Sequence, residues 1–153
     1  MTKPLEHKHV IIRAEVLNPP TNENIAIKHV QTLIDRIGMK VLIGPFAKYV
    51  EMAGNRGLTV AAIIETSHVV LHAWDEQEPG LLQLDVYTCG AFDPRRVFEW
   101  VEEYYNPIKM EYKYLDREKG LTLSDLPEDP LEQHRYTTKE LVDATNNILY
   151  LKR

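Results

Sequence analysis

The chain has 153 residues, a formal net charge of −5 and a pI near 5.7. Its length is typical of a single domain, and no stretch approaches the run of about 20 apolar residues that a membrane-spanning helix needs. The first residues lack the pattern of a secretory leader, and the single cysteine, Cys89, fits a reducing compartment, so we expect a cytoplasmic protein. The acidic balance argues against nucleic acid as a partner.

The first 38 residues predict a strand followed by a helix. His9 to Leu17 is rich in β-branched apolar residues and ends at the turn signal Asn18-Pro19-Pro20, as is typical of a strand. From Ala26 to Ile37 the apolar side chains recur every three or four residues, which predicts a helix with one packed face. Thr21 or Asn22 is its expected N-cap, and Gly38 its expected end.

The middle of the chain predicts three strands and a loop. Lys40 to Ile43 is expected to be a short strand, followed by a loop up to Gly57 that holds Phe46, Lys48 and Tyr49. Leu58 to Ile64 and Val69 to Trp74 are apolar runs that predict two further strands. The residues that join these two strands are Glu65, Thr66, Ser67 and His68.

The next segment adds a strand, a helix and a last strand. Leu81 to Thr88 predicts a strand, and Asp93-Pro94 supplies an N-cap and a first-turn proline for a helix that stops at Asn106-Pro107. Apolar and polar residues alternate from Ile108 to Tyr114, which predicts a strand with one buried face. This order favours an α+β protein, a two-layer sandwich with helices on one face of a mostly antiparallel sheet.

The last part of the chain differs in composition from the rest. We expect a main domain over residues 1–120 and an extension over 121–153 that packs on it, since the chain turns polar and proline-marked after Gly120. Thr137 to Glu140 has the pattern of a capping box and predicts a short final helix.

Chemically active side chains are concentrated on the central strands: Thr66, Ser67, His68, His72, Glu76 and Cys89. By composition alone, ordinary polar roles on a strand are the better interpretation. Metal binding by His68, His72 and Cys89 is set aside because there is no second cysteine and no zinc-type spacing. The glycines of AGNRGL lack the lysine and following Ser/Thr of a phosphate-binding loop, so nucleotide hydrolysis is set aside too.

The stretch SHVVLHAWDE, followed by LDVYTCG, resembles the bacterial and archaeal S-adenosylmethionine decarboxylases, whose motifs read ESHxxxHTWPE and DVFTCG. Phe46-Ala47-Lys48-Tyr49 is similar to the FHKF segment of that family, and Gly57-Leu58-Thr59 to its GVSG segment. The resemblance runs from about His9 to Tyr114 and does not cover the tail.

This resemblance implies a proenzyme that makes its own cofactor. Ser67 would attack the carbonyl of Thr66, and cleavage between Thr66 and Ser67 would leave a pyruvoyl group on the new amino terminus. That group would form a Schiff base with the amine of the substrate and withdraw electrons as carbon dioxide leaves. Thr59 matches the processing hydroxyl of the family, His72 would move the proton, and Cys89 matches the proton donor.

The resemblance also implies how substrate would be held. Glu76 matches the glutamate that binds the ribose hydroxyls, and Tyr49 matches the aromatic residue that stacks on adenine beside the sulfonium. Phe46 and Trp74 lie in the matching segments and are expected to contact substrate. The product would supply the aminopropyl group for spermidine synthesis. Family members form homodimers with sites near the interface, so a homodimer is expected.

Several positions depart from the family pattern. Thr66 stands where the family has glutamate, Ala73 and Asp75 replace threonine and proline, and the loops after Tyr49 and Glu76 are longer. Two alternatives therefore stay open. One is a pyruvoyl-dependent decarboxylase of arginine or ornithine. The other is an unprocessed homologue that binds a nucleoside-like ligand or a protein partner without decarboxylating anything.

Overall fold

A computed structural model describes residues 5–128, 142–143 and 147–150 of the chain. In chain order the elements are β1 (Lys8–Val16), α1 (Glu23–Arg36), β2 (Val41–Val50), β3 (Gly57–Ile64), β4 (Ser67–Trp74), β5 (Gly80–Thr88), α2 (Pro94–Tyr105), β6 (Pro107–Asp116), β7 (Thr122–Leu123), β8 (Val142–Asp143) and β9 (Ile148–Tyr150). Within these residues no helix is long and apolar enough to cross a bilayer.

The strands form one sheet in the order β2-β3-β4-β5-β1-β6-β9-β8, with β7 paired to β6. Every pairing among the described strands is antiparallel. Alternate side chains of the strands join the buried side chains of both helices in one apolar core, whose largest members include Trp100, Phe98 and Tyr105. Both helices therefore lie on the same side of the sheet, which confirms the predicted α+β sandwich.

Both helices begin and end where the local signals predict. The side chain of Asn22 accepts a hydrogen bond from the amide of Ile25 at 2.9 Å, and Gly38 follows α1 with a φ of 74°. The carboxylate of Asp93 accepts from the amide of Arg95 at 3.0 Å, with Pro94 in the first turn of α2. Asn106 ends α2 in the left-handed region at φ 53°, which asparagine tolerates better than most residues.

The predicted loop after Ile43 is wrong. β2 continues to Val50, so Phe46, Lys48 and Tyr49 lie on a strand. It pairs only with β3 among the described strands, and its register shifts between Ile43 and Phe46, where Gly44 and Pro45 stand. Glycine and proline ordinarily mark a loop, but an edge strand tolerates both where a bulge interrupts the ladder.

The face of the sheet away from the helices, called the open face below, carries exposed apolar side chains. On its β2 and β3 side, Ile43, Phe46 and Ile63 are 51%, 64% and 44% exposed. Ile11 of β1 is 41% exposed on the same face. This much exposed apolar surface on one face is characteristic of an interaction site.

Part of the tail belongs to the same sheet. β9 pairs with β6 through Met110 opposite Leu149, and Leu149 is fully buried in the core. The helix predicted at residues 137–140 lies outside the described residues.

Candidate active site

The hairpin between β3 and β4 holds the residues of the predicted cleavage position. Ile64 pairs with Ser67, so Glu65 and Thr66 form the turn. Thr66 has a φ of 59°, a left-handed conformation that costs an L-residue with a β-carbon roughly 1–2 kcal/mol. The sequence therefore places a strained β-branched residue immediately before Ser67.

One carbonyl oxygen organises this turn. The Glu65 carbonyl accepts hydrogen bonds from Thr66 Oγ1 at 2.7 Å and from Ser67 Oγ at 3.2 Å. It also accepts from Cys89 Sγ at 3.2 Å, although Cys89 comes from another part of the chain, directly after β5. Ser67 is 7% exposed. Residues 65–67 with Cys89, called the turn cluster below, thus bring two of the predicted catalytic side chains together.

Two other predicted catalytic side chains meet farther along the same strands. Thr59 of β3 pairs with His72 of β4, and Thr59 Oγ1 lies 2.9 Å from His72 Nδ1. The rings of His72 and Trp74 are 6.2 Å apart. Thr59, His72 and Trp74, called the histidine cluster below, line a cavity of about 180 Å³.

Within a single chain, the turn cluster and the histidine cluster are far apart and lie on opposite faces of the sheet. Ser67 and His72 are five residues apart on β4, and because strand side chains alternate, they point to opposite faces. Ser67 shares the side of the buried residues, whereas His72 lies on the open face. Five residues of strand span about 16 Å. The histidine cluster is thus outside hydrogen-bonding reach of Ser67 in the same chain.

Glu76, predicted to bind ribose, is engaged by the chain itself. Its carboxylate accepts from the amides of Arg56 at 2.7 Å and Gly54 at 3.1 Å. These two backbone hydrogen bonds hold the pKa of Glu76 below its usual value. The carboxylate thereby fastens the loop between β2 and β3 to the end of β4.

A second set of hydrogen bonds, centred on Asp75, also holds this loop, and the sequence analysis did not predict it. Arg56 Nε donates to Asp75 Oδ1 at 2.7 Å, and the Tyr49 hydroxyl donates to Asp75 Oδ2, also at 2.7 Å. Burial raises the pKa of Asp75, but these hydrogen bonds and the guanidinium charge outweigh it, so the pKa lies below its ordinary value. The available signal was Asp75 itself, which replaces a proline of the family motif next to a longer loop.

The predicted aromatic substrate contacts lie on different sides of the sheet. Tyr49 packs partly against the core, and its amide donates to Glu23 of α1 at 2.9 Å. Phe46 pairs with Ala61 on the open face, where the ring is largely exposed. Trp74 is also on the open face, and its indole donates to Asn55 at 2.9 Å. The open face therefore carries two of these aromatic rings, Trp74 within the histidine cluster and Phe46 on β2.

These features define a two-layer α+β protein whose serine and cysteine meet at a strained hairpin turn, with a threonine–histidine pair on the open face. Residues 8–118 match the family model for S-adenosylmethionine decarboxylase, so the chain belongs to that family.

Curated relatives are similar over less than half of the chain. The S-adenosylmethionine decarboxylase proenzyme of Pyrobaculum arsenaticum is 44% identical over 64 residues, which cover 41% of this chain and 50% of the relative. That of Pyrobaculum islandicum is 42% identical with the same coverage. The chain thus spans about half the length of the curated relatives it matches.

Among solved structures, that of the Trypanosoma brucei AdoMetDC-delta26 monomer superposes with a TM-score of 0.46 and 12% identity. The superposition covers 72% of this chain and 45% of the other.

Proposed function

We propose that this chain is a self-processing decarboxylase of S-adenosylmethionine, cleaved between Thr66 and Ser67, whose product supplies the aminopropyl group for spermidine synthesis. The observation that carries the proposal is the turn cluster: Ser67 and Cys89 share the Glu65 carbonyl beside the strained Thr66. Membership of the family supports it. Residues 1–120 would form the catalytic domain and 121–153 an extension of it.

Self-processing starts with Ser67. Its hydroxyl oxygen bonds to the carbonyl carbon of Thr66, the Thr66–Ser67 amide bond breaks, and an ester remains with a free amino group on Ser67. Loss of the Ser67 α-proton then expels the Thr66 carboxylate. Water then hydrolyses the bond between the α-carbon of residue 67 and its nitrogen. The nitrogen leaves as ammonia, an oxygen takes its place, and residue 67 becomes a pyruvoyl group. The strain at Thr66 favours the first step because the turn relaxes once the amide bond breaks.

The surroundings of Ser67 fit this group. A pyruvoyl group lacks the hydroxyl and amine of serine and therefore has no hydrogen-bond donor that burial would leave without a partner. It suits a nearly buried position, and Ser67 is 7% exposed. When present, the group supplies an electron sink for loss of carbon dioxide. Cys89, whose thiol donates to the same Glu65 carbonyl as the Ser67 hydroxyl, would protonate the product carbon.

A second copy of the chain would complete the site. In the proposed mechanism Thr59 donates to the oxyanion and His72 moves the proton, yet both lie on the open face, and His72 is about 16 Å from Ser67 along β4. If two copies pack their open faces together about a two-fold axis, the histidine cluster of one would approach the exposed hairpin turn of the other at Thr66, whose carbonyl is attacked, while the Ser67 side chain stays on the helix side. Such a homodimer also buries Phe46, Ile63 and Ile11.

Substrate recognition would draw on charge and aromatic surface. The sulfonium is a cation, which suits a chain of net charge −5, and adenine stacks on aromatic rings such as Phe46, Trp74 or Tyr49. Glu76 would accept from the ribose hydroxyls after releasing the amides of Gly54 and Arg56.

One observation favours a second candidate, a pyruvoyl-dependent decarboxylase of arginine or ornithine. Both carboxylate oxygens of Glu76 already accept backbone hydrogen bonds, so the ribose subsite is occupied by the chain's own loop. A smaller substrate without ribose would not require that loop to open.

The deciding experiment is the intact mass of purified chain under denaturing conditions, with borohydride to trap a carbonyl. We expect fragments 1–66 and 67–153, a trappable carbonyl on the second, and carbon dioxide release from S-adenosylmethionine rather than from arginine or ornithine. Ser67→Ala should stay uncut, while the matched control Ser124→Ala should cleave normally. An uncut wild-type chain would overturn self-processing, and release from arginine or ornithine alone would establish the second candidate.

A further inference from the structure

Three metal-ligand side chains converge on the open face, in a position that the proposed decarboxylation does not use. Asp85 Oδ1 lies 2.7 Å from His9 Nε2 and 2.9 Å from His68 Nε2. The three ligand atoms all fall within 4.8 Å of one another. The side chains of His9, His68 and Asp85 are 12%, 37% and 40% exposed, so the group is sheltered but accessible.

The sheet register produces this triangle. His9 of β1 and His68 of β4 both pair with Tyr87 of β5, the strand between them, so their α-carbons are about 10 Å apart on the same face. Asp85 is two residues before Tyr87 and shares its face, and its carboxylate reaches into the space between the two rings. Three neighbouring strands therefore hold the donors on a rigid surface.

We propose that His9, His68 and Asp85 form a binding site for a divalent first-row transition ion such as Zn²⁺. Two imidazoles and one carboxylate are a donor set that such ions prefer. Ligand atoms around a tetrahedral Zn²⁺ lie about 3.3 Å apart, so each histidine nitrogen needs to move only about half an ångström away from Asp85 Oδ1, and the three atoms already lie within 4.8 Å of one another. The proposal does not require processing at Ser67, but in the proposed homodimer the site would lie between the two open faces, because Ile11 lines the same cavity.

The surroundings leave room for the ion's remaining positions. His68 and Asp85 line a cavity of about 280 Å³ on the open face, together with Val70, Gln83 and His72, the last of which belongs to the histidine cluster. An ion held by three protein ligands would complete its coordination there with water or a small ligand.

Arg117 competes with the ion. Its Nη1 lies 3.2 Å from His9 Nδ1, and an arginine can only donate, so His9 carries its proton on Nε2 and donates to Asp85. Metal binding at Nε2 moves that proton to Nδ1 and breaks the contact with Arg117. The guanidinium can remain over the ring of Tyr87, 4.1 Å from its centroid. Removing Arg117 should therefore strengthen metal binding.

The test is a titration of the full-length, tag-free chain with Co²⁺, followed by displacement with Zn²⁺. It is run on wild-type protein and on Ser67→Ala, so that its outcome is independent of processing. We expect one Co²⁺ per chain, with visible absorption bands that Zn²⁺ abolishes. His9→Ala, His68→Ala and Asp85→Asn should each weaken binding by at least about tenfold, whereas Arg117→Ala should tighten it.

The matched control is His7→Ala, which removes another imidazole beside Tyr87, 2.8 Å from its hydroxyl, but no donor of the triangle. It should bind Co²⁺ like the wild type. Circular dichroism melts confirm that each variant is folded, and Asp85→Asn retains the shape of the side chain. Absence of saturable Co²⁺ binding by folded wild-type protein would overturn the proposal. So would binding that persists unchanged in the three ligand variants, or binding that weakens in Arg117→Ala.

Discussion

Ser67 and Cys89, 22 positions apart in the sequence, donate hydrogen bonds to the same atom, the carbonyl oxygen of Glu65. Each donor lies 3.2 Å from it. The contact sets a thiol beside the bond that the proposed self-cleavage breaks, so one small turn would serve both processing and turnover.

The roles of these two residues should separate on mutation. In Cys89→Ala we expect cleavage before Ser67 to continue, because the serine hydroxyl and the Thr66 carbonyl are unchanged. Turnover should fall by about 10²-fold or more, the usual contribution of a positioned proton donor. Intact mass measures the first quantity and carbon dioxide release the second. Normal turnover in a fully cleaved Cys89→Ala chain would remove the thiol from the mechanism.

Complementation between two inactive chains tests whether the site is shared. Ser67→Ala lacks the nucleophile, and His72→Ala lacks the open-face imidazole, so neither should process itself efficiently. In a mixed dimer, the intact Ser67 of one chain meets the intact His72 of the other, and we expect cleavage of the His72→Ala chain after mixing and refolding. If His72 acts within its own chain, mixing will restore nothing.

The open face should control association. Ile63→Glu places a charge in the apolar surface formed with Ile43 and Phe46 and should convert a dimer to a monomer in sedimentation experiments. The matched control is Ile25→Glu, since Ile25 is 53% exposed on α1, on the helix side of the molecule. Loss of the dimer in both variants, or in neither, would contradict association through the open face.

The strain at Thr66 can be measured directly. In the uncut Ser67→Ala background, Thr66→Gly should raise the free energy of unfolding by about 1 kcal/mol, because glycine adopts a positive φ at little cost. Thr66→Ala keeps a β-carbon and should not gain this stability. With Ser67 present, Thr66→Gly should also cleave more slowly if the strain assists the acyl shift. Urea unfolding and a time course of intact mass provide the two measurements.

The hydrogen bonds of Asp75 with Arg56 and Tyr49 should make the free energy of unfolding depend on pH. Its folded-state pKa lies below the ordinary value, so its contribution is present at neutral pH and is lost as the pH falls through that lowered pKa. Asp75→Asn should cost roughly 1–2 kcal/mol at pH 7 and differ less from wild type near pH 3. The exposed Asp125→Asn is the control. A wild-type minus Asp75→Asn difference in melting temperature that is constant from pH 7 to pH 3 would contradict this assignment.

Local sequence signals predicted the helices and most of the strands correctly. The predictions that failed concern features that depend on residues distant in the sequence. Asn22, Gly38, Asp93 and Pro94 mark helix ends through their own backbone and side-chain chemistry, so a single sequence reveals them. β2 was misjudged at Gly44-Pro45, because only the position of the strand at the sheet edge makes those residues compatible with pairing.

For the site, part of the missing information was present in the sequence. Ser67 and His72 differ by an odd number of positions, which on a strand means opposite faces. The partners of Glu76 and Asp75 could not be read in the same way. They depend on how the loop before Gly57 folds back onto the end of β4, and no periodic pattern encodes that path.

The shifted register of β2 also affects how copies of this protein can associate. A long, regular edge strand invites another chain to add to the sheet and begin an aggregate. Here Pro45 has no amide hydrogen to offer, and the ladder is interrupted between Ile43 and Phe46. Edge-to-edge growth is therefore obstructed at this edge, beside the exposed side chains of Ile43 and Phe46. This obstruction favours the closed, face-to-face arrangement of two copies that we propose.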